Sequence, residues 1–306
     1  MNSSDISIII LNYNGYQDTI YCMESLFKMD FSDYKIVLVD NGSFNDSILK
    51  IKEWLKQNSE FEDRVDIIEN KENLGFARGN NIGIRFALSK YKSKYILALN
   101  NDTLVSPDFL PLLLEVFNNS NVALVGPKII EDNKRLHWQG YFLKRINFFS
   151  YIAFLTPLRE IFVKTKMAVE PVLQKGEKPF KVYAIPGCCM LFSSDILAKI
   201  GMFDENTFLG WEECIIAEKL LKYQYATYVV PKSVIFHKVT KDSALIPLHK
   251  RKKSYLESER YFQINYLKMP LYQRFLLSFF REVSFFMMAV LYKMIFSLFS
   301  RKKDWE

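Results

Sequence analysis

Residues 36–46 read Ile-Val-Leu-Val-Asp-Asn-Gly-Ser-Phe-Asn-Asp: four apolar side chains in a row, then a carboxylate, a glycine and small polar groups. A short branched-apolar run that ends in turn formers is the pattern of a strand buried on both faces, and such strands belong to parallel sheets. The same pattern recurs on either side. SIIILNYNG occupies 7–15, VDII at 65–68 leads to Asn70 and then NLGFARGNN at 73–81, YILAL at 95–99 runs into Asn100, Asn101 and Asp102, and VALV lies at 122–125. Between these runs lie helix-length segments at about 16–29, 45–58, 77–90 and 108–118, the last opened by Ser106 as cap and Pro107 near its first turn. Strand–helix alternation predicts an α/β layer fold with right-handed crossovers, whose ligands bind at the carboxyl ends of the strands. Any one cluster of Asn, Asp and Gly is explained by turn chemistry. Four at consecutive strand ends, on one edge of the sheet, point to a binding site.

Composition sets the outer bounds. Of 306 residues 49% are hydrophobic, 15% aromatic and 25% charged, which excludes a disordered chain. Cys22, Cys188, Cys189 and Cys214 show no Cys-x-x-Cys spacing, so neither a structural zinc site nor a disulfide framework is indicated, and a reducing compartment is the default. No apolar signal segment follows Met1. The net charge of +7 is unevenly placed: residues 1–240 carry equal numbers of basic and acidic side chains, and the whole excess lies beyond residue 240. Beside such an aliphatic and aromatic stretch, that excess suits an anionic membrane surface rather than nucleic acid.

At this point the chain resembles the family-two glycosyltransferases, enzymes of the GT-A fold. Closest in pattern are bacterial members that build surface polysaccharides, including the rhamnosyltransferase-like branch. The resemblance is carried in order by SIIILNYNG, IVLVDNGSFND, NKENLGFARGNNIGI, YILALNNDT, IPGCCMLF with IGMFDE, FLGWEECIIAEKL and VVPKSVIFH, and covers about residues 6–243. It implies an inverting transfer of a sugar from a nucleoside-diphosphate donor, a UDP- or dTDP-sugar, to a saccharide or lipid-linked saccharide. Asn12, Asp40, Gly75, Arg78, Asn80 and Asn101 are the implied donor contacts. A carboxylate at position 40 suits a base N–H or a ribose hydroxyl, although DNGS is also a capping sequence. The spacing of Gly75, Gly79 and Gly83 is not that of a dinucleotide fingerprint.

Asn100, Asn101 and Asp102 stand where the family has its DxD motif, with Asn100 a neutral oxygen donor in place of the first carboxylate. The implied metal ligands are Asp102 and His237, and the implied ion is Mg2+ or Mn2+, which neutralises the leaving diphosphate. The family's Glu-Asp pair corresponds to Glu212 and Glu213, with Glu213 as general base and Glu212 its substitute if the register shifts by one. Trp211, as a stacking platform or a core residue, and Asp204 fall on the acceptor side. Residues 183–193 are expected to form one buried strand beneath the acceptor site.

Two segments lie outside the resemblance. Residues 137–180 are aromatic and basic and read as a variable acceptor-side insertion within a 1–243 catalytic domain, with a membrane-touching insertion as the alternative. Residues 244–306 read as a helical, membrane-associating extension. Its core, 283–300, holds 18 positions with one charge, Lys293, followed by Arg301, Lys302 and Lys303. As a helix it reaches ~27 Å, short of a ~30 Å hydrocarbon core. An interfacial helix or hairpin on the cytoplasmic face of the plasma membrane is expected, with a true span or a buried helix as alternatives. Oligomeric state is left open. Two other function classes remain: a sugar-1-phosphate nucleotidylyltransferase, against which NYNGYQD at 12–18 lacks a basic residue for triphosphate, and a non-catalytic nucleotide-sugar-binding scaffold.

Overall fold

The computed structural model describes residues 5–119, 121–137, 140–155, 173–174, 176–238 and 248–283. The expected alternation is present. Strands β1 (Ile6–Asn12), β2 (Tyr34–Asp40), β3 (Val65–Glu69) and β4 (Tyr95–Asn100) alternate with helices α1 (Tyr16–Phe27), α2 (Ser47–Gln57) and α3 (Gly75–Lys90). After them come β5 (Thr103–Val105), α4 (Phe109–Leu114), β6 (Val122–Glu131), α5 (Phe148–Leu155), β7 (Phe180–Val182), β8 (Cys189–Ser193), α6 (Ser194–Lys199), α7 (Glu212–Lys222), β9 (Ala226–His237) and α8 (Leu248–Asn265). Among the described residues these strands form one sheet in the order β3-β2-β1-β4-β8-β6-β9-β5, with β7 on β9.

Half of the sheet is parallel. β1 lies between β2 and β4, and β2 carries β3 at the edge. Ile8, Ile9 and Ile10 of β1 and Ile36, Val37, Leu38 and Val39 of β2 have no exposed surface. Each such side chain is worth roughly 1.5–3 kcal/mol over its exposed state, which is why unbroken apolar runs lie here. β8 reverses direction against β4 and β6, and β5 and β7 run antiparallel to β9. The helices cover the faces: Gly83 and Gly79 of α3 come so close to Ile9, Val39 and Leu11 that a Cβ at either would fall within 2.6 Å of an aliphatic carbon.

The register sets the chemistry. Asn12 pairs with Asp40 and Asp40 with Glu69, so these strand ends finish at one level. The pairing of Thr103 with His237 brings the end of β9 beside the turn after β4.

One expectation needs correction, and the compact units are drawn differently from the expected domains. Residues 183–193 do not form a single strand: only Cys189–Ser193 does, and 183–188 is a buried non-strand segment bridging to Phe142. Pro186 and Gly187 within it withhold the ladder geometry a strand needs. The compact unit also does not stop at 243. The chain divides into one unit of Met1–Lys144 with Val169–Phe262 and a second of Arg145–Ala168 with Gln263–Glu306. Most of α8 therefore belongs to the first unit. Among the described residues no helix is long and apolar enough to cross a membrane. All of 283–300 except Val283, and Arg301 to Lys303, lie outside the described residues.

Candidate active site

Asp40 is the best-held carboxylate of the strand-end rim. Its Oδ1 accepts from Asn12 Nδ2 at 2.6 Å and from the Ser43 hydroxyl at 2.6 Å, and its Oδ2 from the Ser43 amide at 3.0 Å. Asn12 is fully buried, and its Oδ1 accepts from the Thr19 hydroxyl at 2.8 Å. Hydrogen bonds to an ionised acceptor are about twice as strong as neutral ones, so this web fixes the Asp40 side chain before any ligand arrives. Asn41 and Asn14 tie down the neighbouring loops. Asn41 Oδ1 accepts from Asn70 Nδ2 and the Leu74 amide, and Asn14 Oδ1 from the Phe44 amide. The asparagines of the first strand ends thus act largely as loop fasteners.

The other expected donor residues divide by partner. Gly75 has φ +81°, and a Cβ there would lie 2.5 Å from the Phe208 carbonyl oxygen, so the start of α3 is pressed against the 208–210 loop. Phe76 donates its amide to that same carbonyl. Arg78 Nε donates to the Glu205 carbonyl at 3.2 Å, and Asn80 Nδ2 to the Phe76 carbonyl within its own helix. Asn101 Nδ2 donates to the Thr19 hydroxyl and the Gly15 carbonyl. Asn81, the neighbour of Asn80 in the motif and with it a possible donor contact by sequence, is taken up elsewhere. It clamps the 203–205 segment through Phe203 and the Glu205 carboxylate, 124 residues away.

Asp102 and His237 form the next pair. His237 Nε2 lies 3.3 Å from Asp102 Oδ1, and both atoms are buried without a hydrogen-bond partner. Burial disfavours the imidazolium, but Asp102, Glu131 and Asp132 together outweigh it and raise the His237 pKa. A buried carboxylate oxygen and imidazole nitrogen that face only each other at a strand end are of the types that would hold a divalent ion, which would supply charge neutralisation there. Among the described residues no group of three His, Cys, Asp or Glu side chains converges to hold a metal by itself. His137, which no motif marks, stands with its ring 5.6 Å from that of His237, and its Nδ1 is 3.0 Å from Glu131 Oε1.

Glu212 and Glu213 open α7 directly after Gly210 and Trp211, both in left-handed backbone at φ +88° and +70°. For Trp211 that conformation is strained, and strain of this kind gathers at functional sites. Glu212 is buried and accepts from the Gly210 amide at 2.7 Å, while Glu213 is partly exposed. Burial, and then the charge of Glu213, push the Glu212 carboxyl up to about 8; burial also raises Glu213. Burial above all, then the charges of Asp102 and Glu213, raise the Cys188 thiol, so this buried cysteine lies within reach of both carboxylates. The Cys188 carbonyl accepts from the Asn100 amide, next to the Asp102 turn.

Of the residues expected on the acceptor side, Trp211 stacks on Phe262 at 5.3 Å, and Asp204 Oδ2 accepts from the Tyr261 hydroxyl at 3.0 Å. Tyr255 lies so close to Gly210 that a Cβ there would meet its ring at 2.4 Å. Helix α8 therefore packs directly on the 204–213 segment. A cavity of about 400 Å³ bordered by Asn81, Arg85, Asp204, Glu205 and Lys219 touches neither Asp102 nor Glu213.

Known proteins supply the frame for this arrangement. The family model described as Glycosyl transferase family 2 matches residues 7–201. The low-salt glycan biosynthesis hexosyltransferase Agl10 of Haloferax volcanii is 25% identical over 210 residues, covering 68% of this chain and 59% of that protein. The dTDP-rhamnosyl transferase RfbF of Shigella flexneri is 23% identical over 252 residues, covering 81% of this chain and 75% of its own. Among solved structures, mannosyltransferase PcManGT from Pyrobaculum calidifontis, in complex with GDP-Man and Mn2+, superposes with a TM-score of 0.61 at 14% identity over 95% of this chain and 75% of that one. GalNAc-T7 with UDP, GalNAc and Mn2+ gives 0.57 at 18% identity over 78% of this chain and 44% of that one. The strand-end clusters, the sheet order and a family match running from the first strand to residue 201 agree: the chain belongs to glycosyl transferase family 2, on a GT-A α/β fold.

Proposed function

We propose that this protein is an inverting glycosyltransferase, moving a sugar from a UDP- or dTDP-sugar to a saccharide or lipid-linked saccharide during surface polysaccharide synthesis, at the cytoplasmic face of the plasma membrane. The observation that carries the reading is the orphaned pair of Asp102 Oδ1 and His237 Nε2, 3.3 Å apart, on the same strand-end rim as the pre-set Asp40 carboxylate. In this reading Asp40 accepts from the nucleoside, and the start of α3, held by Gly75 against the Phe208 carbonyl, borders the donor. Mg2+ or Mn2+, held by Asp102 and His237, would neutralise the charge that builds on the leaving diphosphate.

Glu213 accepts the proton of the acceptor hydroxyl as that oxygen attacks the anomeric carbon and the bond to the diphosphate breaks. Burial and the charge of Glu213 raise the Glu212 carboxyl to about 8, and burial raises Glu213 as well, so the two titrate as a pair, of which Glu213 is the more exposed member and takes the role of base. Similarity to a hexosyltransferase and a rhamnosyl transferase supports the choice among donor classes. The test is release of nucleoside diphosphate from a panel of UDP- and dTDP-sugars with Mn2+. Wild-type protein is expected to turn over one of them, and Asp102→Ala to lose that activity. Full activity of the variant in EDTA overturns the assignment.

A further inference from the structure

The second compact unit joins two segments separated in sequence by the whole stretch Val169–Phe262, namely Arg145–Ala168 and Gln263–Glu306. By sequence these segments carry eleven basic and four acidic side chains, a net +7 that equals the charge of the whole chain; the first unit is neutral. The described parts of this unit also display its apolar side chains. In helical residues 271–283, Leu271, Tyr272, Phe275 and Phe279 are 72%, 64%, 70% and 56% exposed, with Leu276 and Val283 beside them. At 3.6 residues per turn these six positions fall within an arc of about 140° whose one charge is Glu282, near its edge, and Arg274 and Arg281 lie outside it. In α5, Phe149 is 75% exposed, four residues after an exposed Arg145.

Single exposed apolar residues are ordinary, but six on one helical arc, with a seventh on a second segment of the same unit, are a docking surface. We infer that this unit is a two-part membrane-docking surface, in which α5 of the insertion and helix 271–283 together bind an anionic lipid bilayer. A helix with Phe, Tyr and Leu on one face and arginines on the other lies in the interfacial plane, and the unit's net positive charge supplies long-range attraction to anionic headgroups. A second copy of the chain would bring another +7 to the same surface, so like-charge repulsion disfavours self-association there. The inference deepens the proposed membrane-linked acceptor by assigning the insertion, and not the C-terminal extension alone, to the bilayer.

Flotation of the full chain with phosphatidylcholine vesicles, with and without phosphatidylglycerol, tests it. Binding is expected only with phosphatidylglycerol, and Phe149→Ser and Phe275→Ser are each expected to weaken it by about tenfold or more, the loss of one buried aromatic side chain. Far-UV circular dichroism and stabilisation by UDP or dTDP with Mn2+, read on the same samples, should be unchanged in both variants. Those readouts separate failure of the docking surface from failure of the proposed donor site. Unaltered flotation of Phe149→Ser, absence of flotation by wild-type protein, or a concentration-dependent dimer broken by either substitution overturns the inference; the last outcome would make the face a contact between copies.

Discussion

Glu212 and Glu213 occupy the first turn of a helix, where the macrodipole favours ionised carboxylates by roughly 0.3–1 kcal/mol. Burial and mutual repulsion oppose it and win, because the Glu212 pKa rises to about 8. A carboxyl held above its unfolded value of 4.5 binds its proton more tightly in the folded state. Its contribution is complete below pH 4.5 and is lost as pH rises towards 8. Glu212→Gln keeps an acceptor for the Gly210 amide and removes the proton, so thermal melts should show the variant gaining on wild type from pH 5 to pH 8. In turnover the order reverses. Glu213→Gln should lower the rate by ~10²–10⁴ with donor binding intact, and Glu212→Gln should be milder. Reversed severity in steady-state rates would assign the base to Glu212.

Among elements, the junction of α3 with the 208–210 loop is one of the tightest places in the site. Gly75→Ala imposes φ +81° on a residue with a Cβ and drives that carbon to 2.5 Å from the Phe208 oxygen. A loss of about 1–3 kcal/mol is expected in urea titration. Gly187→Ala, whose Cβ would meet only Phe76 at 3.8 Å, should change stability little. The parallel half of the sheet was legible because β1, β2 and β4 each hold an unbroken apolar run and β3 only one interruption, Asp66. The antiparallel half was not: β5 and β7 are three residues each, and Pro186-Gly187 splits what read as a single strand at 183–193. The rim clusters were legible as a set, but not the partners of individual asparagines. Asn81 bonds across 122 residues to Phe203, and no local spacing encodes such a contact. His137 was hidden for the same reason, its neighbour His237 being brought in by the β6–β9 ladder, which pairs Glu131 with His237.

Across the whole molecule, charge and packing divide differently from the sequence-based boundary. Phe262, Tyr261 and Tyr255 of α8 pack on Trp211, Asp204 and Gly210, so the extension begins by supporting the site. A chain ending at residue 268 should keep its melting temperature and nucleotide binding. One ending at 243 should lose both, because it uncovers Trp211 and leaves Asp204 without Tyr261. In the proposed reading Asp102 and His237 complete a metal-assisted nucleoside-diphosphate site on this rim. Calorimetric titration with UDP and dTDP, with and without Mn2+, tests it most directly in wild type and in Asp102→Ala. The expected result is binding of one nucleotide that requires Mn2+ and disappears in the variant; binding that ignores both the ion and the substitution would contradict the account.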